Sequence, residues 1–259
     1  MGKSNNVIKL AFTGSTKLTL EAMRQIMRLD EFDIIGLFGL SDDRLPGNVN
    51  SVRMDDFCTD NSIVLNKTED WDSFYSFCSE NNVDIIITLG DSRIVPKNIV
   101  NNFEVIGNHG AILPDVQGGA SLVWGRMLNN GVWGVSIMRI GEKVDSGEIL
   151  KKKTFSYTDT TTEEEFVNMS DGIAIELLLD VLQGNPEPQQ NKRWDIRVAK
   201  HTDSHKVKEI LEYCLANNLS VYLPPRTPAD GLVKNHWPEE FKTFFKVANN
   251  NPYPKWREE

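Results

Sequence analysis

Apolar runs and amphipathic stretches alternate along the first two thirds of the chain. "VIKLAFTGST" (7–16), "FDIIGLFGL" (32–40) and "VDIIITLG" (83–90) are nearly continuous in Ile, Leu, Val and Phe. A strand apolar on both sides is buried on both faces, which is the habit of parallel sheets covered by helices. Between these runs, "KLTLEAMRQIMRL" (17–29) places Leu20, Met23, Ile26 and Met27 at helical spacing, and "DWDSFYSFCSENN" (70–82) reads as a helix with a polar outer face. "FEVIGNHG" (103–110) continues the strand series. "GASLVWGRMLNNG" (119–131) predicts a helix closed by Asn-Gly, "VWGVSIMRI" (132–140) a strand, and "GEKVDSGEILKKKTFSY" (141–157) a loop running into a strand. "TTTEEEFVNMSDGIAIELLLDVLQG" (160–184) predicts a long helix with Thr caps, an acidic first turn and a stop at Gly184. The alternation predicts an α/β fold, a Rossmann-like, mostly parallel sheet with helices on both faces.

The Pro- and Gln-rich "NPEPQQNK" (185–192) reads as a linker, and the residues beyond it are more polar, with turn-rich pieces in "YLPPRTPADGLV" and "NNNPYPKW". The expected division is a catalytic domain over 1–194 and a small C-terminal subdomain over 195–259, the latter given to sugar binding or to contacts between two copies.

Composition narrows the partners. The 259 residues carry a formal charge of −9, which argues against nucleic acid, since phosphate binding needs clustered Lys and Arg. The one basic run, Lys151 to Lys153, reads as a solvated strand edge. Cys58, Cys78 and Cys214 form no CxxC pair, so buried thiols are expected and no metal site. No apolar run reaches the roughly 18–20 residues of a membrane span, and "MGKSNNVIKLAF" lacks a secretory core, so a cytoplasmic location is expected.

Ligands of doubly wound sheets sit beyond the carboxyl ends of the strands. His109 falls at such an end, where it is either a catalyst or a polar residue satisfied by its own strand end. "VDSG" (144–147) offers Asp145 as a partner that would orient the ring, although Asp-Ser-Gly is also an ordinary turn. "FTGSTKL" brings the hydroxyls of Ser15 and Thr16 to a helix start, a generic anion site without the GxGxxG or P-loop pattern. No GxSxG nucleophile elbow is present, and His201 and His205 read as surface residues.

The block from His109 to Ile149 resembles the signature of the 10-formyltetrahydrofolate-dependent formyltransferases. The matching elements are His109, Leu113-Pro114, Gly118, Trp124, Gly134-Val135-Ser136, Asp145, Gly147 and Ile149. The segment 230–256 is similar to the end of the nucleotide-sugar N-formyltransferase branch, a short strand and a helix before Pro-aromatic-Pro. The resemblance implies transfer of a formyl group from 10-formyltetrahydrofolate to the amine of a nucleotide-linked amino-dideoxy sugar for bacterial surface glycans. It implies catalysis by His109, Asp145 and Asn108. Gly90, Asp91, Ser92, Ile94, Val144 and Asp145 would meet the pterin, Ser15 and Thr16 the substrate, and no metal is needed. The family places its Asn two residues before the His, which is Gly107 here. A bulge at Gly107 is therefore expected, to re-aim Asn108. The rival readings are a hydrolase that releases formate and a folate- or nucleotide-sugar-binding module without catalysis.

Overall fold

The computed structural model describes residues 7–250 and 256–259; Pro252-Tyr253-Pro254 and the opening residues 1–6 lie outside the described residues. The chain forms two compact units, Met1–Asn108 with Arg139–Glu142, and His109–Met138 with Lys143–Glu259. The expected boundary at residue 194 falls inside the second.

The first unit alternates strand and helix: β1 (Ile8–Thr13), α1 (Lys17–Ile26), β2 (Phe32–Phe38), α2 (Asp55–Asp60), β3 (Val64–Asn66), α3 (Trp71–Glu80), β4 (Ile85–Thr88), α4 (Lys97–Asn102) and β5 (Glu104–His109). Its strands pair in parallel in the order β3-β2-β1-β4-β5. The apolar runs are the inner strands, with Leu10, Ala11, Phe12, Ile86 and Ile87 fully buried. Ala11, Phe38, Phe74, Cys78, Ile86 and Ile99 form one core cluster.

The strand order reverses between β1 and β4, the switch point where such sheets commonly open a crevice. Here the loops after β1 and β4 approach closely. Gly14 and Gly90 have φ of 121° and 61°; a Cβ on Gly14 would lie 2.4 Å from the Leu89 oxygen, and one on Gly90 2.1 Å from Thr16 Oγ1. Thr16 and Thr19 cap the start of α1 reciprocally, and Thr19 Oγ1 donates to the Leu89 oxygen at 2.7 Å.

The second unit contains β6 (Val116–Gly118), α5 (Ser121–Leu128), β7 (Val132–Arg139), β8 (Ile149–Ser156), α6 (Glu163–Leu182), β9 (Ile196–Arg197), α7 (Ser204–Ala216), β10 (Val221–Leu223), β11 (Leu232–Val233) and α8 (Glu239–Ala248). β7 and β8 form an antiparallel pair, while β10 lies parallel between β6 and β9. Residues 195–259 are woven into this unit. Val207 and Leu211 of α7 and Phe241 and Phe245 of α8 are buried, and both helices pack on α5, whose Val123, Trp124, Met127 and Leu128 are buried in turn.

Two buried ionisable side chains mark this core. Arg126 is fully buried and donates to Asn129 Oδ1 at 2.7 Å and the Thr161 oxygen at 2.8 Å. Glu163, the first residue of α6, is 2% exposed and neither carboxyl oxygen has a hydrogen-bond partner. Burial pushes its carboxyl up to about 8, with the Arg126 charge pulling the other way.

The lysine run is spent within the unit. Lys151 pairs with Asp180 and Lys153 with Glu176, while Lys152 Nζ donates to the Leu113 oxygen. All three cysteines are free and buried, and burial pushes the Cys58 thiol up to about 11 and that of Cys78 to about 12. Among the described residues no helix is long and apolar enough to cross a membrane.

Candidate active site

His109 ends β5 and is 6% exposed. Its ring lies between two acceptors: Nε2 is 2.9 Å from the Val116 oxygen and Nδ1 is 3.5 Å from Asp145 Oδ1. A carbonyl oxygen can only accept, so Nε2 carries a proton and donates. A proton arriving at Nδ1 would face a carboxylate. The pairing expected between His109 and Asp145 is present.

Asp145 is fixed from three sides. Its Oδ2 accepts from the Gly118 N–H at 2.7 Å, and its main chain is left-handed at φ 49°. Asn191 donates from Nδ2 to the oxygens of Asp145 at 2.8 Å and Gly147 at 3.0 Å. Asn191 was missed by sequence reasoning, because a single Asn in a polar Pro/Gln-rich stretch carries no pattern. That stretch, read as a linker, is a clamp on the Asp145 turn.

The loop after His109 is held by β7, which gives the signature residues their physical meaning. Ser136 Oγ accepts from the Leu113 N–H at 2.9 Å and donates to the Ala111 oxygen at 2.8 Å. Trp133 Nε1 donates to the Gly110 oxygen at 2.8 Å, and a Cβ on Gly134 would lie 2.3 Å from Ile112. Gly118 has φ 96°, and a Cβ there would lie 2.0 Å from the Leu223 oxygen. Only glycine lets β6 approach β10 while aiming its N–H at Asp145.

The remaining candidates lie in the first unit. Against β4, β5 stays in register from Ile85–Glu104 through Thr88–Gly107, with no bulge up to Gly107. Close packing explains the glycine instead, since a Cβ would lie 2.7 Å from Ile140 Cδ1 and 2.8 Å from Thr88 Cγ2. Asn108 Oδ1 accepts from the Gly90 N–H at 3.4 Å. An N–H needs an acceptor, so the amide is turned with Nδ2 outward, a donor without a partner among the described residues.

Asp91 does not offer a free carboxylate. Both oxygens accept from Arg93, at 3.0 Å from Nε and 2.7 Å from Nη2, and the pair is buried. Arg93, missed by sequence reasoning, also donates to the Phe38 oxygen at 2.6 Å and lies 4.4 Å from the Phe38 ring centroid. It ties the loop after β4 to the end of β2. In that loop Ser92 is exposed and Ile94 is 74% exposed. Val144 is 49% exposed.

Ser15 and Thr16 are 2% and 8% exposed. Ser15 Oγ accepts from the Leu40 N–H at 2.8 Å, and Thr16 Oγ1 accepts from the Thr19 N–H at 3.3 Å. Ser15 thus joins the end of β1 to the chain beyond β2, and Thr16 caps α1. Among the described residues no three His, Cys, Asp or Glu side chains are grouped to hold a metal.

Residues 57–182 match the Formyl transferase family. The methionyl-tRNA formyltransferase of Ureaplasma parvum serovar 3 is 23% identical over 185 residues, 68% of this chain and 61% of that protein. The chain spans less than two thirds of the length of the curated relatives it matches first. A sugar N-formyltransferase from Shewanella sp FDAARGOS_354 superposes with a TM-score of 0.66 at 12% identity, over 97% of this chain and 92% of that one. The Helicobacter canadensis N-formyltransferase, solved with folinic acid and dTDP-3-aminofucose, superposes with a TM-score of 0.61 at 14% identity, over 93% and 80%. The chain has the α/β fold of the formyl transferases, and the region that matches the family, 57–182, contains His109, Asp145 and the loop that joins them.

Proposed function

We propose that the chain is an enzyme that transfers a formyl group from 10-formyltetrahydrofolate to the amine of a nucleotide-linked amino-dideoxy sugar. The observation that carries the reading is the His109 ring held between the Val116 oxygen and Asp145, with Asp145 anchored by the Gly118 N–H. The match over 57–182 and the folate-bound relative of the same fold support a folate donor. The fold is shared over nearly the whole length with sugar N-formyltransferases and with a methionyl-tRNA formyltransferase alike, so the formal charge of −9, which disfavours a nucleic-acid partner, supports the sugar acceptor.

When bound, the folate supplies the electrophilic formyl carbon. In the first unit Ile94 would meet its ring and the exposed backbone around Gly90 and Ser92 would hydrogen-bond it, with Asp91 holding that loop through Arg93; in the second unit Val144 is the exposed residue that would meet it. As the amine adds to the formyl carbon it loses a proton. His109 takes it at Nδ1, where the ring charge faces Asp145 while Nε2 keeps its bond to Val116. Asn108 Nδ2 would donate to the oxygen that becomes negative; as the carbonyl re-forms, the carbon–nitrogen bond to the folate would break and His109 would return its proton to that nitrogen, releasing tetrahydrofolate and the formamide.

The test is single-turnover incubation with 10-formyltetrahydrofolate and a panel of dTDP-, UDP- and GDP-linked amino sugars, read by mass. A formamido product from one member is expected. Formate release without any formylated sugar would sink the transferase reading.

A further inference from the structure

The two groups that β6 gives to the candidate pair come from one edge of the strand. On the other edge the Asp115 oxygen accepts from the Val221 N–H at 2.8 Å, and the Gly119 N–H donates to the Leu223 oxygen at 3.0 Å. Backbone groups alternate in direction along a strand, so the Val116 oxygen and the Gly118 N–H face away from β10, toward His109 and Asp145. Gln117 stands between them.

The Asp145 turn needs a hold of its own. Its main chain is left-handed at φ 49°, a conformation that a residue with a Cβ disfavours. Asn191 supplies the hold. Its Nδ2 carries two hydrogens, and the oxygens of Asp145 and Gly147 take them at 2.8 and 3.0 Å. Its Oδ1 accepts from the Lys192 N–H at 2.9 Å. Two carbonyls on one side and an N–H on the other leave the amide a single orientation.

The segment that carries Asn191 is fastened along its length. The Ile149 N–H donates to the Gln189 oxygen at 3.1 Å and the Gln189 N–H to the Ile149 oxygen at 2.8 Å, a bridge to the first residue of β8. Gln117 is 2% exposed, and its Nε2 donates to the oxygens of Pro114 at 3.1 Å and Lys192 at 2.9 Å. Asp195 accepts from the Ser220 N–H at 2.8 Å and from Lys192 Nζ at 3.0 Å, and these bonds lower its carboxyl to about 2. A mere connection between α6 and β9 has no need of side chains on the Asp145 turn and on β6. This one has both.

We propose that Asn191 is a positioning residue of the formyl transfer. Its amide fixes the Asp145 turn so that one carboxylate oxygen meets the Gly118 N–H and the other stays beside His109 Nδ1. Gln117 keeps the segment against the strand that holds both partners. The inference rests on the reading that His109 and Asp145 move the amine proton.

The first readout needs no substrate. Gly118 and Gly119 are neighbours whose N–H groups face opposite edges of β6, the first bound to Asp145 and the second to Leu223. Asn191→Asp keeps an acceptor for the Lys192 N–H and turns a second acceptor toward two carbonyl oxygens. In the full-length variant, amide exchange followed by NMR should quicken by about tenfold or more at Gly118 and stay unchanged at Gly119. Asn191→Ala removes the donor without the repulsion and should act in the same direction. In formylation assays both variants should lose about 10- to 100-fold in kcat. KM for folate and sugar should stay within about twofold, because the Asn191 amide is spent on the main chain. Gln190→Ala, at an exposed neighbour, should match the native chain in both readouts. Unchanged exchange at Gly118, equal loss at Gly118 and Gly119, or a native kcat in Asn191→Asp would each overturn the proposal. The two readings fail separately: a native chain that formylates no sugar removes the transferase reading, while selective exchange at Gly118 still shows the hold on Asp145.

Discussion

At the scale of single residues, the prediction that matters most concerns Asn108. Its Oδ1 is fixed by the Gly90 N–H, so the functional group it offers is the Nδ2 donor. Asn108→Asp keeps an acceptor for Gly90 and removes the donor, whereas Asn108→Ala removes both. Loss of one oxyanion donor costs on the order of 100-fold in rate, so both variants should lose about that much, and His109→Ala at least as much. A near-native rate for Asn108→Asp would show that the amide is no donor. The pattern placed His109 at a strand end and Asp145 in a short turn, and the resemblance of the block from His109 to Ile149 singled out the two together. It misled at Gly107, where glycine signals either a bulge or a close neighbour, and the neighbours Ile140 and Thr88 are not adjacent in sequence.

At the scale of elements, α6 carries a titration that can be measured. The Glu163 carboxyl is raised from 4.5 to about 8, so the native state holds its proton more tightly than the unfolded chain does. Stability from this group is complete below about pH 4.5 and is lost as the pH rises through about 8. Glu163→Gln has no such proton to lose. Thermal melts should nearly coincide at about pH 4, and the variant should gain up to a few kcal/mol over the native chain by about pH 9, one pKa unit being about 1.4 kcal/mol. A difference independent of pH would contradict the assignment. The Thr cap and acidic first turn of this helix were readable, as were β1, β2, β4 and β7, because long elements repeat their pattern. The six-residue α2 and α4 and the three-residue β3, β6 and β10 were not, since so short a segment has no period to detect.

At the scale of the whole molecule, the polar stretch before residue 194 suggested a separable tail, and composition could not reveal what that tail pairs with. β10 lies between β6 and β9, and α7 and α8 cover α5. A chain ending at residue 194 would uncover Val123, Trp124, Met127 and Leu128, each costing about 1.5–3 kcal/mol when exposed. Such a chain should accumulate as insoluble protein; a soluble fragment with a cooperative melt would show that the tail is dispensable. The turn at Gly118 carries a further consequence, one of timing. Gly118 takes its place against Leu223, 105 positions later (223 − 118), and it is Gly118 that aims its N–H at Asp145. During synthesis His109 and Asp145 leave the ribosome well before Leu223 does. The pair therefore waits, unset, until Leu223 has been made and β10 can lie down beside β6.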